Sequence, residues 1–333
     1  MAMAFEQSFL MALLLLVTGS GLLKGNISAQ VGALYPRDEE ARRTRGFAIF
    51  STGINIGAVT GPLFCGLLAQ VYGWHFGFGV AGIFMLAGLA TYLYGYRDLP
   101  ARVAGRHRQD GNLTAHDRRT TFGIVAVLGI AIFQSISHAQ IYNVFPVWTQ
   151  QSVALQVAGY RVPVPWFLSL ESLSSILAAP LLILLWRWQA SRRREPDDLL
   201  KIGIGACLSA ASNLILVAGI LGSAGALIHP VWPTLYCAGT GIAFMYYWPT
   251  SLALISRTAP ARVNATMMGF AFMTLFIASN LVGWIGSFYE RMTPAAFWAI
   301  HAAIAATGGF AVLLSRRSLR QWLGAAEALN KSH

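Results

Sequence analysis

Two ionisable side chains, Lys24 and Glu171, lie inside long apolar stretches of the sequence. Charged groups are costly inside a membrane, and they usually mark the path of a substrate or of a proton. Lys24 lies about 15 Å along a helix axis from the end of its stretch at Leu34. It could hold a substrate, or it could pair structurally with a carboxylate or a helix C-terminus. Glu171 lies about 9 Å from the outer end of its stretch, where it could carry a proton in a half-dry cavity or reach water through a vestibule.

Polar side chains form a second candidate feature, on the apolar stretch 121–147. Ser137, Gln140 and Asn143 follow one another at spacings of three, so a helix places them on one broad face. A polar arc on an otherwise apolar segment needs hydrogen-bond partners. The pattern therefore predicts that this face lines something wet.

His138 and Tyr247 each have two interpretations. An imidazole can change its charge near neutral pH, but a lone histidine in an apolar segment is more often a hydrogen-bonded packing residue. Tyr247 lies two residues before Pro249, which is expected to bend its helix. The aromatic ring there either forms the floor of a pocket or packs between helices.

Enzyme and metal-binding motifs are absent from the sequence. It contains no HExxH, GxSxG or Walker A pattern and no acidic pair at metal-ligand spacing. The three cysteines, Cys65, Cys207 and Cys237, lie in apolar stretches without CxxC spacing. We therefore expect no catalytic residues, no metal site and no cofactor.

The composition indicates that these residues are positioned by helices in a lipid bilayer. Of 333 residues, 56% are hydrophobic and 11% are charged, whereas a soluble domain carries about 25% charged residues. A membrane-spanning helix needs about 20 apolar residues. Nine stretches reach that length, at roughly 8–34, 47–71, 75–96, 121–147, 165–186, 199–222, 231–256, 265–288 and 295–315.

The net charge of +11 is distributed in a way that indicates topology. All but three of the 24 Lys and Arg residues lie in alternate loops and in the C-terminal tail; the exceptions are Lys24, Arg161 and Arg291. Basic loops stay in the cytoplasm. The pattern predicts a cytoplasmic C-terminus, and it argues against nucleic acid as a partner.

One hydrophilic segment, 97–120, divides the predicted helices into three before it and six after it. We interpret residues 1–96 as the remains of an N-terminal bundle, 97–120 as a cytoplasmic linker and 121–333 as a six-helix bundle with a cytoplasmic tail. Transporters are often built from two such halves. The odd helix count predicts that the chain begins in the middle of a longer reading frame.

Several segments resemble the proton-dependent oligopeptide transporter family of the major facilitator superfamily. The matching segments, in chain order, are GLLKGN around Lys24, GFAIFSTGINIG at 46–57, YGWHFGFGVAG at 72–82, PVPWFLSLESL at 163–173 and RTAPARVNATMMG at 257–269. The resemblance implies an all-α, polytopic fold with nine of the family's twelve transmembrane helices. The first three helices, including the ExxER proton-coupling motif of the first, are missing.

The resemblance also implies roles for two residues. Lys24 matches a fourth-helix lysine that takes part in coupling and holds the peptide carboxylate, and Asn55 matches a fifth-helix asparagine that contacts the peptide backbone. Elsewhere the sequence departs from the family. Ala139 and Phe244 stand where the family has glutamates, and Glu171 stands where many members have asparagine. We hypothesise that Glu171 replaces a lost carboxylate, either for the proton or for the peptide amine.

The sequence thus predicts a proton-coupled symporter of di- and tripeptides in a bacterial inner membrane, working by alternating access and driven by the proton gradient. The expected substrate-binding residues are Lys24, Asn55, Gln140, Asn143, Glu171 and Tyr247, with Glu171 and Lys24 also coupling the proton. Two alternatives stay open. The chain could be a non-transporting relic or assembly partner, or it could move a solute other than a peptide.

Overall fold

The computed structural model describes residues 10–20, 40–96, 114–157, 159–192, 194, 196–260 and 262–330. The chain divides into two compact units, Met1–His107 and Arg108–His333. Apart from one short hairpin, the regular structure of the described residues is helical. Lys24 lies outside the described residues, and Asn55 lies on a described helix without a described side chain.

The first unit contains three helices among its described residues: α1 (Leu10–Ser20), α2 (Glu40–Tyr72) and α3 (Trp74–Gly95). Gly73 joins α2 to α3 with a φ of 91°, a conformation that favours glycine. The two helices pack against each other where a Cβ at Gly77 would lie 2.9 Å from the carbonyl oxygen of Cys65. A glycine at position 77 therefore permits this close helix contact.

The described residues of the second unit form seven α-helices and the hairpin. Their bounds are α4 (Ala115–Ala139), α5 (Val144–Ser152), β1 (Gln156–Val157), β2 (Tyr160–Arg161), α6 (Pro165–Ser191), α7 (Asp198–Gly222), α8 (Val231–Thr258), α9 (Asn264–Gly286) and α10 (Pro294–Asn330). Helix α7 packs against both α8 and α10, α4 packs against α9 and α10, and α6 packs against α8. The two strands form an antiparallel pair.

The helix α4 differs from its predicted span at both ends. It begins at Ala115, six residues before the predicted start at 121, because Thr114 and Asp117 form a capping box. It ends at Ala139, and a 3-10 turn (Gln140–Tyr142) separates it from α5. Pro146 accounts for the break, since a proline has no N–H to bond the carbonyl four residues earlier and clashes with it.

The described helices confirm an all-α, membrane-spanning fold. Six of them include a segment long and apolar enough to cross a membrane: Trp74–Gly95, Ala115–Tyr142, Pro165–Gln189, Asp198–Gly222, Thr266–Arg291 and Pro294–Leu323. Shorter apolar helices cover Leu10–Ser20 and Ile56–Tyr72. The interior of the second unit has two large apolar clusters. One surrounds Ile124 and Leu319, and the other is rich in aromatic rings around Trp148 and Trp298.

Candidate substrate and proton site

Glu171 lies in the second turn of α6 and is 4% exposed. Its Oε2 atom accepts hydrogen bonds from the Tyr142 hydroxyl at 3.3 Å and from the Ser172 hydroxyl at 3.2 Å. Neither of the ion pairs found among the described residues involves Glu171. A buried carboxylate that accepts from hydroxyl groups but forms no ion pair with a lysine or arginine is suited to binding a proton.

Helix α8 approaches Glu171 closely because position 241 is glycine. A Cβ at Gly241 would overlap the carbonyl oxygen of Glu171 and would lie 3.1 Å from the Cβ atom of Ser174. The Ser175 hydroxyl donates to the carbonyl oxygen of Gly241 at 3.0 Å. Small residues allow this close approach of two membrane helices, and the approach fixes the backbone that carries Glu171.

Tyr142 reaches Glu171 from the 3-10 turn that follows α4. Its ring is 58% exposed, while its hydroxyl bonds the buried carboxylate. The ring lies 6.1 Å from that of His138, one helical turn earlier. The 3-10 turn after α4 therefore places the Tyr142 hydroxyl within hydrogen-bond distance of Glu171.

His138 lies beside this group and stacks on Phe244 of α8, with ring centroids 4.9 Å apart and planes inclined by 24°. Its Nδ1 atom is buried and has no hydrogen-bond partner in the described part of the chain. His138 and Glu171 also interact electrostatically. The histidine is therefore packed by an aromatic ring but not fixed by a hydrogen bond at Nδ1.

The predicted polar arc is divided among several contacts. The Asn213 amide of α7 donates to the Ser137 hydroxyl at 2.9 Å, and the Asn143 amide donates to the carbonyl oxygen of Val282 at 3.0 Å. Gln140 is fully buried, and neither polar atom of its side chain has a partner among the described residues. Ser137 thus joins two helices, Asn143 bonds α9 through its amide N–H, and Gln140 is enclosed with both polar atoms unpaired among the described residues.

Tyr247 is placed in the core between α4, α8 and α9. It is 1% exposed, and its hydroxyl pairs with that of Ser135. The ring belongs to the cluster of Ile124 and Leu319. These contacts correspond to the packing interpretation of Tyr247, although it stays a proposed substrate residue.

The structure thus brings Glu171 together with His138, Phe244 and Tyr142, of which sequence reasoning missed Tyr142. Little in the sequence indicates a role for Tyr142. It lies four residues after His138, but the two residues would share a helical face only if the helix continued past Ala139. No cluster of three or more potential metal ligands occurs among the described residues. A membrane bundle that holds a buried, hydroxyl-bonded carboxylate is typical of a membrane transporter.

Comparison with known proteins identifies the group of transporters. The model of the POT family, labelled PTR2, matches residues 4–105 and 106–301. This chain belongs to the POT family. The match confirms the resemblance found in the sequence.

Among curated relatives, the uncharacterized transporter YclF of Bacillus subtilis (strain 168) is 26% identical over 92% of this chain and 74% of its own length. A di-/tripeptide transporter of Lactococcus lactis subsp. cremoris is 25% identical over 95% of this chain and 76% of its own length. The chain thus aligns with about three quarters of each relative.

Solved structures share the fold. The crystal structure of a peptide transporter POT in complex with sulfate has a TM-score of 0.87 at 21% identity, over 97% of this chain and 78% of that one. A POT family transporter in complex with a thioalcohol conjugated peptide has a TM-score of 0.85 at 19% identity, over 96% and 78% of the two chains. The chain is therefore an integral membrane protein with a major facilitator fold, as predicted.

Proposed function

We propose that this protein moves di- and tripeptides across a bacterial inner membrane together with protons, by alternating access. Membership of the POT family carries this proposal, and relatives named as di-/tripeptide transporters support it. The energy would come from the proton gradient, with no cofactor.

Glu171 is the proposed proton carrier of the second unit. Burial of a carboxylate favours its neutral form unless donors or a cation stabilise the anion. Two hydroxyl groups donate to Glu171, and they would stabilise the carboxylate anion where burial favours the neutral acid. Protonation and release at Glu171 would then bias the access of the site to one side or the other.

Gln140 and Asn143 are the proposed ligands of the peptide backbone in this unit. Neither polar atom of the Gln140 amide has a partner among the described residues, so the side chain could offer the donor and the acceptor that a peptide bond requires. Asn143 offers its amide oxygen, since its N–H group bonds Val282. Lys24 would hold the peptide carboxylate, Asn55 would contact the backbone, and Tyr247 would be a further substrate-binding residue.

The substrate is tested with purified protein in proteoliposomes that have an alkaline interior. We expect uptake of radiolabelled dialanine, and competition by unlabelled trialanine but not by free alanine. Competition only by acidic solutes other than peptides would favour the non-peptide alternative. Absence of all uptake from correctly folded protein would contradict transport by this chain and favour a relic or an assembly partner.

The orientation is tested separately. The basic loops predict that the C-terminus is cytoplasmic, so a fluorescent protein fused after His333 should fluoresce in intact bacteria. A fused periplasmic phosphatase should stay inactive at the same position. The opposite pair of results would overturn the proposed orientation.

A further inference from the structure

Among the described residues, four titratable side chains of the second unit are near enough to Glu171 to interact with its charge. They are His138 and Tyr142 on the α4 side, and Tyr236 and Cys237 on α8, and each interacts electrostatically with Glu171. Phenols and thiols cannot become cations, whereas an imidazole can do so near neutral pH. His138 is therefore the one group among these four that can balance the charge of the Glu171 carboxylate.

The contacts place a single side chain between the two groups. The Tyr142 ring contacts His138 edge-on at 6.1 Å, and its hydroxyl donates to Glu171 at 3.3 Å. Phe244 stacks on the imidazole ring of His138 with ring centroids 4.9 Å apart. The His138 Nδ1 atom has no hydrogen-bond partner among the described residues. The imidazole is held in place by two aromatic rings while a proton-binding nitrogen stays unengaged.

We propose that His138 and Glu171 bind the transported proton as one shared site, with Tyr142 between them. This inference deepens the proposed function and rests on it. It assigns His138 a role in coupling, and it gives Phe244 the role of positioning the imidazole.

Charge balance supports a shared site. With neutral His138 and ionised Glu171 the pair carries one negative charge in a largely water-excluded place. One added proton makes the pair neutral overall, whether it resides on the carboxylate or on the imidazole. A second proton would leave a net positive charge, which is again costly there. The pair is therefore expected to bind one proton more readily than either group alone, because two positions are available to it.

The first test measures protonation directly and does not require transport. The full chain, with ¹⁵N-labelled histidine, is placed in lipid nanodiscs, and the imidazole signals are followed by NMR as the pH changes. The His138 signal is identified by its loss in His138→Asn. Glu171→Gln should move the midpoint of the His138 titration to lower pH by about one unit, because the anion that favours the imidazolium is removed. An unchanged midpoint in folded protein would overturn the proposal.

His301 of α10 provides a matched control within the same spectra. It is fully buried, and its Nδ1 atom bonds the carbonyl oxygen of Phe297. Its ring contacts among the described residues are with Phe297 and Trp298, away from the contacts of Glu171. Its signal should therefore be unaffected by Glu171→Gln, and an equal shift in both histidines would indicate a general rearrangement and overturn the specific pairing.

The second test measures dipeptide uptake against external pH for wild type, His138→Asn and His301→Asn. His138→Asn should move the midpoint to lower pH by about 0.3 unit, the statistical factor for losing one of two equivalent proton positions. His301→Asn should leave the midpoint unchanged even if the amount of folded protein falls. Wild-type uptake with an unchanged midpoint in His138→Asn would overturn the shared site and leave transport standing. No wild-type uptake at any pH would instead contradict the proposed function, and the NMR titration would still decide whether the pair shares a proton.

Discussion

Helices α3 and α4 are about equally apolar, yet they are packed very differently. In the most apolar stretch of each, 6% of the α3 residues are buried among the described residues, against 56% for α4. The only buried residue of α3 is Gly77, whereas α4 buries polar side chains that include Gln134, Ser135 and Ser137. Lipid solvates an apolar side chain as well as a protein interior does, so hydrophobicity does not drive helices together in a membrane.

Individual glycines show the same contrast between open and packed faces, although each unit has both kinds: Gly77 is packed in the first unit and Gly129 is open in the second. Positions 79 and 88 of α3 have open space where a Cβ would be, among the described residues. In the second unit, a Cβ at Gly241 would overlap Glu171, and one at Gly205 would lie 3.1 Å from the carbonyl oxygen of Ala243. Apolar length therefore identifies a membrane span, while polar and small residues in tight contact identify its packed face.

The largest expected effect comes from filling the space at Gly241. Gly241→Leu should destabilise the folded protein by about 3 kcal/mol, because the side chain would be forced against the backbone of α6. Gly79→Leu is the matched control, and it should change the stability by less than about 0.5 kcal/mol. Thermal unfolding of both variants in the same detergent checks the difference. Equal losses would contradict the distinction between packed and open glycines.

An intermediate effect is expected at Asp197, which caps α7 and ties it to α10. Its carboxylate accepts from the Leu200 N–H at 3.0 Å and from Arg316 at 2.8 Å, and it also pairs with Arg320. Burial alone would raise the pKa of Asp197, but these hydrogen bonds hold it below its usual 3.8. Its stabilisation is therefore complete above the usual value and is lost as the pH falls through the lower pKa of the folded state.

Asp197→Asn should lower the free energy of unfolding by about 1 kcal/mol at pH 7, because the amide can still cap α7 but no longer forms the ion pairs with Arg316 and Arg320. The difference from wild type should shrink as the pH is lowered below about 4. Unfolding measured across this pH range checks both statements. Asp117→Asn, which affects a cap confined to α4, should have a smaller effect at pH 7, and a difference for Asp197→Asn that grows on acidification would contradict the assigned role.

The smallest expected effect concerns the polar contact between α4 and α7. The Gln134 amide donates to the Ser209 hydroxyl at 2.8 Å. Gln134→Leu should cost about 0.6 kcal/mol, the average for hydrogen bonds between membrane helices. Thr91→Val in α3 should cost less, because the Thr91 hydroxyl bonds only the carbonyl oxygen of Ala87 in its own helix. Chemical unfolding of the two variants, measured side by side, should resolve that order, and the reverse order would weaken the comparison.

Much of the fold could be predicted from the sequence, because membrane helices are signalled by local apolar length and by the placement of basic residues. Short sequence segments also indicated the resemblance to the POT family, and the family match confirms it. The end of the helix at Ala139 was harder to predict from the sequence. Its cause, Pro146, was present, but the chain bends six residues earlier, so a continuous span over 121–147 was the wrong expectation.

The contacts of the candidate site were the hardest to predict. Tyr142 and Glu171 are 29 residues apart, and Arg316 and Asp197 are 119 apart. Such pairs depend on how whole helices pack, which no local pattern specifies. The Glu171 side chain stood out because it is charged within an apolar segment, whereas Tyr142 did not, since a tyrosine in a membrane helix is unremarkable without its partner.

Glu171, as the proposed carrier of the transported proton, is the central residue of the candidate site. The direct measurement compares dipeptide uptake as a function of pH with dipeptide counterflow in the absence of a gradient, for wild type, Glu171→Gln and Glu290→Gln. Glu290 is an exposed residue of the turn Tyr289–Arg291 and serves as the matched control. We predict that Glu171→Gln loses gradient-driven uptake but keeps counterflow, while Glu290→Gln behaves like wild type. Gradient-driven uptake with unchanged pH dependence in Glu171→Gln would contradict the account.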